Sequence, residues 1–339
     1  GPSARSAAQD AFLGALQGDN NGSWSTNKPT LTDDIKNKFQ NYISNKTSHN
    51  AGIDAIPLTG GCSAVMHTAA QLCKNESGTV LIPTPFFSPQ EGQALSARVS
   101  VTTCPRTKYI KQLSKLKQGS STVLTVPNNP DGYIWTESDI KKIVRIANKK
   151  DIRLVVDATY FNMAPEIDQY KTTMDALRGA NKHIIIYSTS KAFQLTGYRS
   201  AFVEADAETK EQLNHIHEYL FGKLDPFAIK ALTATAEQFE DLDSINQSTM
   251  QNRKENIDHI ESICNGTSAI EFKLDSYLDR FKNFVTESKN KGFKVSFDPG
   301  KGGPYGILSI TKGKENGQYR IALIADPSNC IIAHPESAA

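Results

Sequence analysis

No two cysteines in this sequence form a C-x-x-C pair, and no apolar run approaches the ~18 residues that cross a bilayer. The five cysteines lie far apart, at positions 62, 73, 104, 264 and 330. That odd, scattered set argues against a disulfide framework and against a zinc site. No metal is expected, and a reducing, cytoplasmic compartment is. Charge of one sign is also lacking. The 38 basic residues stand against 36 acidic ones, a net charge of +2. This leaves no field for nucleic acid or an anionic membrane surface, and neither is an expected partner. Basic runs are short. Lys141-Lys142 and Lys149-Lys150 read as the solvated face of one helix. The opening GPSARSAAQDAF carries no hydrophobic signal core.

What the chain does carry is alternation. Residues 30–43, TLTDDIKNKFQNYI, predict a helix capped by Thr32 or Asp33. Short apolar segments follow at 79–83, 97–103, 121–126, 152–157, 183–188 and 199–205, with helical patterns between them such as GCSAVMHTAAQLC and TESDIKKIVRIANKK. Strands alternating with helices predict an α/β fold, a mainly parallel sheet flanked by helices. Longer helices are expected at about 207–220, 225–240 and 246–264, and the end reads α+β: AIEFKL, a helix from YLDRFKNF, then KVSFD, YGILSITK and QYRIALIAD.

Ligands of open parallel sheets bind at the carboxyl ends of the strands. There the sequence places TPFFSP after residue 83, PNNPDG after 126, DATY after 156 and STSKAF after 187. In STSKAFQLTGYR, Lys191 sits among small hydroxyls and Arg199 follows eight positions on. A buried lysine has a lowered pKa and suits Schiff-base chemistry, and an arginine fork suits phosphate. An aldehyde for the lysine and a phosphate for the arginine describe pyridoxal 5'-phosphate. Asp157, alone at the end of RLVVD, could keep a pyridine nitrogen protonated. Asn129 and Tyr160 are donors for a phenolic oxygen, and Phe87 can stack on a ring. Gly60 and Gly61 open a helix whose amides, from Gly61, Cys62 and Ser63, could face a phosphate together with Ser188 and Ser190. Each residue also has an ordinary use. A lysine snorkels from a loop, an aspartate caps a helix, NNPDG makes a β-turn, and a phenylalanine packs in a core. TGGCSA is followed by neither G-x-G-x-x-G nor G-K-S/T, which argues against a nucleotide loop.

In this order the motifs resemble the fold type I pyridoxal-phosphate enzymes, the aspartate aminotransferase superfamily of class I/II, over roughly residues 55 to 325. Ser188, Ser190, Lys191 and Arg199 match the S-x-S-K segment with its arginine, Asn129 to Gly132 the N-P-x-G turn, and Asp157 with Tyr160 the D-x-x-Y pair. PNNPDG and TSKAFQLTGYR further resemble the branch of alliinase and the plant tryptophan aminotransferases, which holds both transaminases and a carbon–sulfur lyase. The resemblance implies a seven-stranded sheet in a large domain over 50–245. It implies a small domain built from 1–49 and 246–339, and a homodimer. It implies that Lys191 binds the cofactor and is the catalytic base, and that Arg320 and Asn129 hold the carboxylate of the substrate. The expected activity is transfer of an amino group between an amino acid and a 2-oxo acid. Elimination, decarboxylation or oxidation are the alternatives, and a non-catalytic module is disfavoured by the intact Lys191, Asp157 and Arg199. Only GKENG separates the last two predicted strands, where the family has a longer excursion, so the side-chain pocket is not carried over. Phe86, Phe193 and Tyr198 suggest an apolar or aromatic side chain.

Overall fold

The computed structural model describes residues 30–50, 52–164, 167–266, 277–298, 305–312, 315–322 and 333–335. The chain divides into two compact units, Gly1–Pro127 with Ile134–Ile245, and Asn128–Tyr133 with Asn246–Ala339.

The first unit is a seven-stranded sheet of order β1-β7-β6-β5-β4-β2-β3. The strands are β1 (Ala55–Thr59), β2 (Thr79–Thr84), β3 (Ser100–Pro105), β4 (Ser121–Thr125), β5 (Arg153–Asp157), β6 (His183–Ser188) and β7 (Ser200–Ala205). Pairing is parallel from β3 through β6, while β7 runs antiparallel to both β6 and β1. All five residues of β4 and of β5 are buried, as befits central strands covered on both faces. Among these seven strands, only β1 was not foreseen. Its AIPLT contains Pro57, which cannot donate to a ladder and so fits an edge.

Helices precede, separate and follow these strands. They are α1 (Asp33–Thr47), α2 (Gly61–Glu76), α3 (Pro89–Ser96), α4 (Arg106–Leu113), α5 (Glu137–Lys150), α6 (Ile167–Arg178), the single turn α7 (Thr189–Ala192), α8 (Ala207–Phe221) and α9 (Pro226–Ala236). One core cluster joins Val65, Ala69 and Leu72 of α2 to Ile82, Val155, Ile186 and Val203 of the sheet. Thr32 caps α1 by accepting from the Ile35 N–H at 3.4 Å. On α5, Lys141 and Lys142 pair with Glu137 and Asp139 at the surface, as read from the sequence.

Residues 30–49, grouped above with the C-terminal segment, lie in the first unit. The reason is the apolar face of α1. Phe39 is fully buried, stacked on Phe202 at 4.6 Å and edge-on to Phe193 at 5.0 Å. Tyr42 donates to Asp243 at 2.7 Å.

The long helix α10 (Phe239–Asn265) runs on into the second unit, which also holds α11 (Tyr277–Asn290). An antiparallel sheet of order β11-β10-β9-β8 completes it, from β8 (Lys294–Asp298), β9 (Tyr305–Lys312), β10 (Glu315–Ala322) and β11 (Ala333–Pro335). Its core packs Ile260 and Ile263 with Phe281, Val285, Leu308 and Ile310. The predicted AIEFKL strand lies outside the described residues. No helix among them is long and apolar enough to cross a membrane.

Candidate active site

The register of the sheet gathers the predicted residues along one edge. Asp157 ends β5, opposite Thr125 of β4 and Ile186 of β6. Because β7 is antiparallel, it enters the sheet where β4, β5 and β6 leave it, so Arg199, just before β7, stands at the carboxyl edge. β1 leaves at that edge too, with Thr59 paired to Ser200. One step past this pair lie Gly60 on one side and Arg199 on the other.

Arg199 Nη2 donates to the Gly60 carbonyl at 3.2 Å. A β-carbon at Gly61 would stand 2.7 Å from the same nitrogen, so the guanidinium lies against bare backbone. Gly60 and Gly61 have φ of +73° and +69°, which only glycine adopts without strain. Helix α2 starts here, and its cap, Gly60, offers no side-chain acceptor to the first-turn amides. Free N–H groups, the positive end of a helix and a guanidinium together suit an anion. Ser63 is exposed on this first turn and Cys62 is half-buried. The Cys62 sulfur lies 3.5 Å from Thr159 Oγ1. Burial, then the nearby Asp157 charge, push its thiol up to about 12.

Asp157 is buried, and among the described residues its carboxylate meets hydrogen-bond donors only. Thr159 reaches Oδ1 with its hydroxyl at 2.6 Å and its N–H at 3.1 Å, and Gln90 Nε2 reaches Oδ2 at 3.0 Å. Burial raises the carboxyl pKa, and these hydrogen bonds oppose the rise. Thr159 follows Asp157 at the spacing of a local side-chain turn, a signal the sequence offers. Gln90 gives no such signal, because only the fold brings α3 over β5.

Ser188 ends β6, is buried, and caps α7 by accepting from the Ser190 N–H at 3.2 Å. Ser190 is half-buried. Lys191 is exposed, not the buried lysine that the sequence suggested. The chain has left the sheet by residue 189, and Thr189 and Ala192 take the inward positions of the turn. The loop is nonetheless pinned. Thr189 Oγ1 donates to the Ser200 carbonyl at 2.7 Å, Thr196 Oγ1 to that of Ser190 at 2.8 Å, and Asn162 Nδ2 to that of Ala192 at 2.9 Å. Phe193 anchors it from below, fully buried among Phe39, Tyr42, Phe161 and Phe239. Phe193 is therefore core, and gives no support to an aromatic substrate pocket.

Phe87 is 40% exposed after β2, while its neighbour Phe86 packs against the core cluster. Of the two rings, Phe87 is the one free to meet a ligand. Tyr160 is buried in the turn just past Asp157. Asn129 and Arg320 belong to the second unit. The NNPDG turn is closed by its neighbours, with Asn128 Nδ2 donating to Asp131 at 2.6 Å and the Gly132 N–H to the Asn128 carbonyl at 2.8 Å. Asn129 is half-buried. The backbone of Arg320 lies on β10 between Ile307 and His334.

A family model described as aminotransferase class I and II matches residues 2–274. The transaminase BacF of Bacillus subtilis is 26% identical over 222 residues, 62% of this chain and 53% of BacF. The aspartate aminotransferase of Sulfolobus acidocaldarius is 22% identical over 220 residues, 62% of this chain and 55% of that protein. The chain thus spans little more than half the length of these curated relatives. Its fold also resembles the solved PLP-bound C–S lyase from Staphylococcus hominis, with a TM-score of 0.65 at 14% identity, covering 90% of this chain and 74% of that one.

Proposed function

We propose, from the premise that this chain belongs to the aminotransferase class I and II family, that it is a pyridoxal-phosphate-dependent aminotransferase moving an amino group between an L-amino acid and a 2-oxo acid. The observation that carries this reading is the Arg199 guanidinium seated on the Gly60–Gly61 backbone at the start of α2. Lys191 is held on the loop leading to that arginine.

The residues present fit the cofactor. A Cβ at Gly61 would crowd the guanidinium that a phosphate needs, and glycine provides none. Phosphate would be held by Arg199, the amides of Gly61, Cys62 and Ser63, and the hydroxyls of Ser188 and Ser190. Asp157, with its donor-only surroundings, suits a protonated ring nitrogen. Exposed Phe87 would stack on the ring, and Tyr160 would serve its phenolic oxygen. When bound, pyridoxal phosphate supplies a sink for the electron pair released at the α-carbon of an amino acid. Lys191 would bind its aldehyde carbon and, once freed by the amine of the substrate, carry the α-proton as general base. Borohydride reduction in the presence of pyridoxal phosphate, followed by peptide mapping, tests this. The expected adduct is on Lys191, and an unmodified Lys191 peptide overturns the reading.

The likeness to a C–S lyase favours a second reading, elimination from the same site. Product analysis separates them: a 2-oxo acid that forms only with an added acceptor marks transfer, while ammonia and pyruvate without one mark elimination. A homodimer belongs to the proposal as well. Tyr219, Leu220, Phe221 and Phe227 form an apolar stretch from the end of α8 to the start of α9, with Tyr219 86% exposed. Such a patch is a common feature of subunit interfaces. Light scattering should give twice the chain mass, and Tyr219→Asp with Phe221→Asp should give the single mass. The cytoplasmic setting rests on the free thiols of Cys62, Cys73, Cys104 and Cys264.

A further inference from the structure

Gln90 is buried on α3, and its amide is committed in one direction. Nε2 donates to Asp157 Oδ2 at 3.0 Å and to Thr125 Oγ1 at 2.8 Å. Oε1 is buried without a hydrogen-bond partner among the described residues. Gln90 also walls a small cavity lined mainly by apolar side chains, Met66, Ala69, Ala94, Val123 and Val155 among them, and by Ser121, whose hydroxyl is likewise buried without a hydrogen-bond partner among the described residues. A buried acceptor left unpaired costs about 1–3 kcal/mol. Turning the amide over would not relieve this cost. It would set Oε1 against the Asp157 carboxylate, oxygen to oxygen, and take from Oδ2 its only donor among the described residues. The orphaned oxygen is thus the consequence of both amide protons being turned toward Asp157 and Thr125.

Thr159 holds the other end of the same carboxylate, at Oδ1. Two donors from one side and one from the other fix its rotation. We propose that Gln90 is a positioning residue for Asp157, holding the Oδ2 end of its carboxylate charged and fixed in place. Its meaning for catalysis rests on Asp157 serving the cofactor ring, but the interaction itself does not. Burial works against the charge on Asp157, and the Gln90 hydrogen bond works for it. The other titratable groups that act with Asp157 are the Cys62 thiol from α2 and the Tyr170 phenol from α6, both kept neutral by burial.

The test uses the full chain without cofactor, labelled with carboxyl-¹³C aspartate, with the Asp157 signal assigned through Asp157→Asn. Gln90→Met keeps the length of the side chain and removes the donor. The expected result is an Asp157 titration midpoint at least one pH unit higher than in the wild type, a tenfold change in protonation. An unchanged midpoint overturns the proposal. A second measurement needs no variant. The Gln90 side-chain amide signals of the wild type should move in step with the Asp157 titration, and signals indifferent to it overturn the proposal equally. Borohydride trapping at Lys191 is independent of both readouts. Its failure would sink the aminotransferase reading and leave the Gln90 result standing, and the reverse holds too.

Discussion

Arg199 and Gly60 meet through a 3.2 Å hydrogen bond although 139 positions separate them. Antiparallel pairing of Thr59 with Ser200 makes this contact, since each residue is one step outside that pair. Arg199 itself has φ +49°, a left-handed backbone that turns it toward the glycines. The candidate anion cradle is therefore a product of sheet register, and a small disturbance at Gly61 should be read out at Arg199.

Gly61→Ala is expected to do two things. The φ of +69° strains any L residue by about 1–2 kcal/mol. The new methyl also displaces the guanidinium, whose Nη2 would lie 2.7 Å away. Affinity for pyridoxal phosphate should fall at least tenfold, or about 1.4 kcal/mol. Gly78→Ala is the control, with φ +68° and nothing within 4 Å of its added carbon. It should show similar loss of stability and unchanged affinity. Calorimetric titration of both variants decides, and equal affinity losses would count against the cradle.

The central strands were legible because burial on both faces leaves an apolar run, as in RLVVD and HIIIY. β1 was not, since AIPLT has two buried positions and a proline, a pattern shared with loops. At the site, chemistry that sits next to its own strand end was readable: Asp157, Ser188, Arg199. Chemistry made by packing was not. Gln90 reaches Asp157 from another helix, and nothing near it in the chain announces that. Phe193 misled for the opposite reason. It adjoins the lysine in sequence, yet its ring fills the space that α1 covers.

Cys62 lies in the cradle but should be a poor nucleophile. Its thiol is pushed up to about 12 by burial and by Asp157. At pH 8 it should hold on the order of a thousandfold less thiolate than an ordinary cysteine. Alkylation followed by peptide mapping should leave the Cys62 peptide largely unlabelled in the native protein and label it at once in urea. Rapid native labelling at Cys62 would contradict this.

His217 ties α8 to the start of the cradle. Nε2 lies 3.0 Å from the Thr59 carbonyl, which can only accept, so Nε2 carries the proton. Nδ1 lies 2.9 Å from Thr68 Oγ1, whose one hydroxyl proton it shares with the Ala64 carbonyl at 3.0 Å. Burial lowers the pKa of the ring below its ordinary 6.5. A lowered folded value means that the unfolded chain binds the extra proton first. The stabilisation is complete above about pH 6.5 and is lost as pH falls through the folded pKa. His217→Gln can make both hydrogen bonds without titrating. Urea midpoints followed from pH 8 to 5 should fall more steeply in the wild type than in this variant. Parallel profiles would show that His217 does not contribute.

Arg178 is the largest single liability predicted for stability. From α6 it donates to Glu204 on β7 at 2.7 Å, to Tyr187 on β6 at 2.9 Å, to Asp175 at 3.0 Å, and to the carbonyl and hydroxyl of Thr47 on α1 at 2.8 and 2.9 Å. Tyr187 donates to the second oxygen of Glu204 at 2.7 Å, so one guanidinium satisfies the whole cluster. Both charged partners are mostly buried, with 16% and 10% of their side chains exposed. Removing one member of such a pair leaves the other charged and unpaired, at about 3–5 kcal/mol. Arg178→Met should lose that amount in urea denaturation. Adding Glu204→Gln should recover part of it, because the stranded charge is then gone. If the double variant is no more stable than Arg178→Met alone, the loss comes from packing around α1 and not from the uncompensated carboxylate.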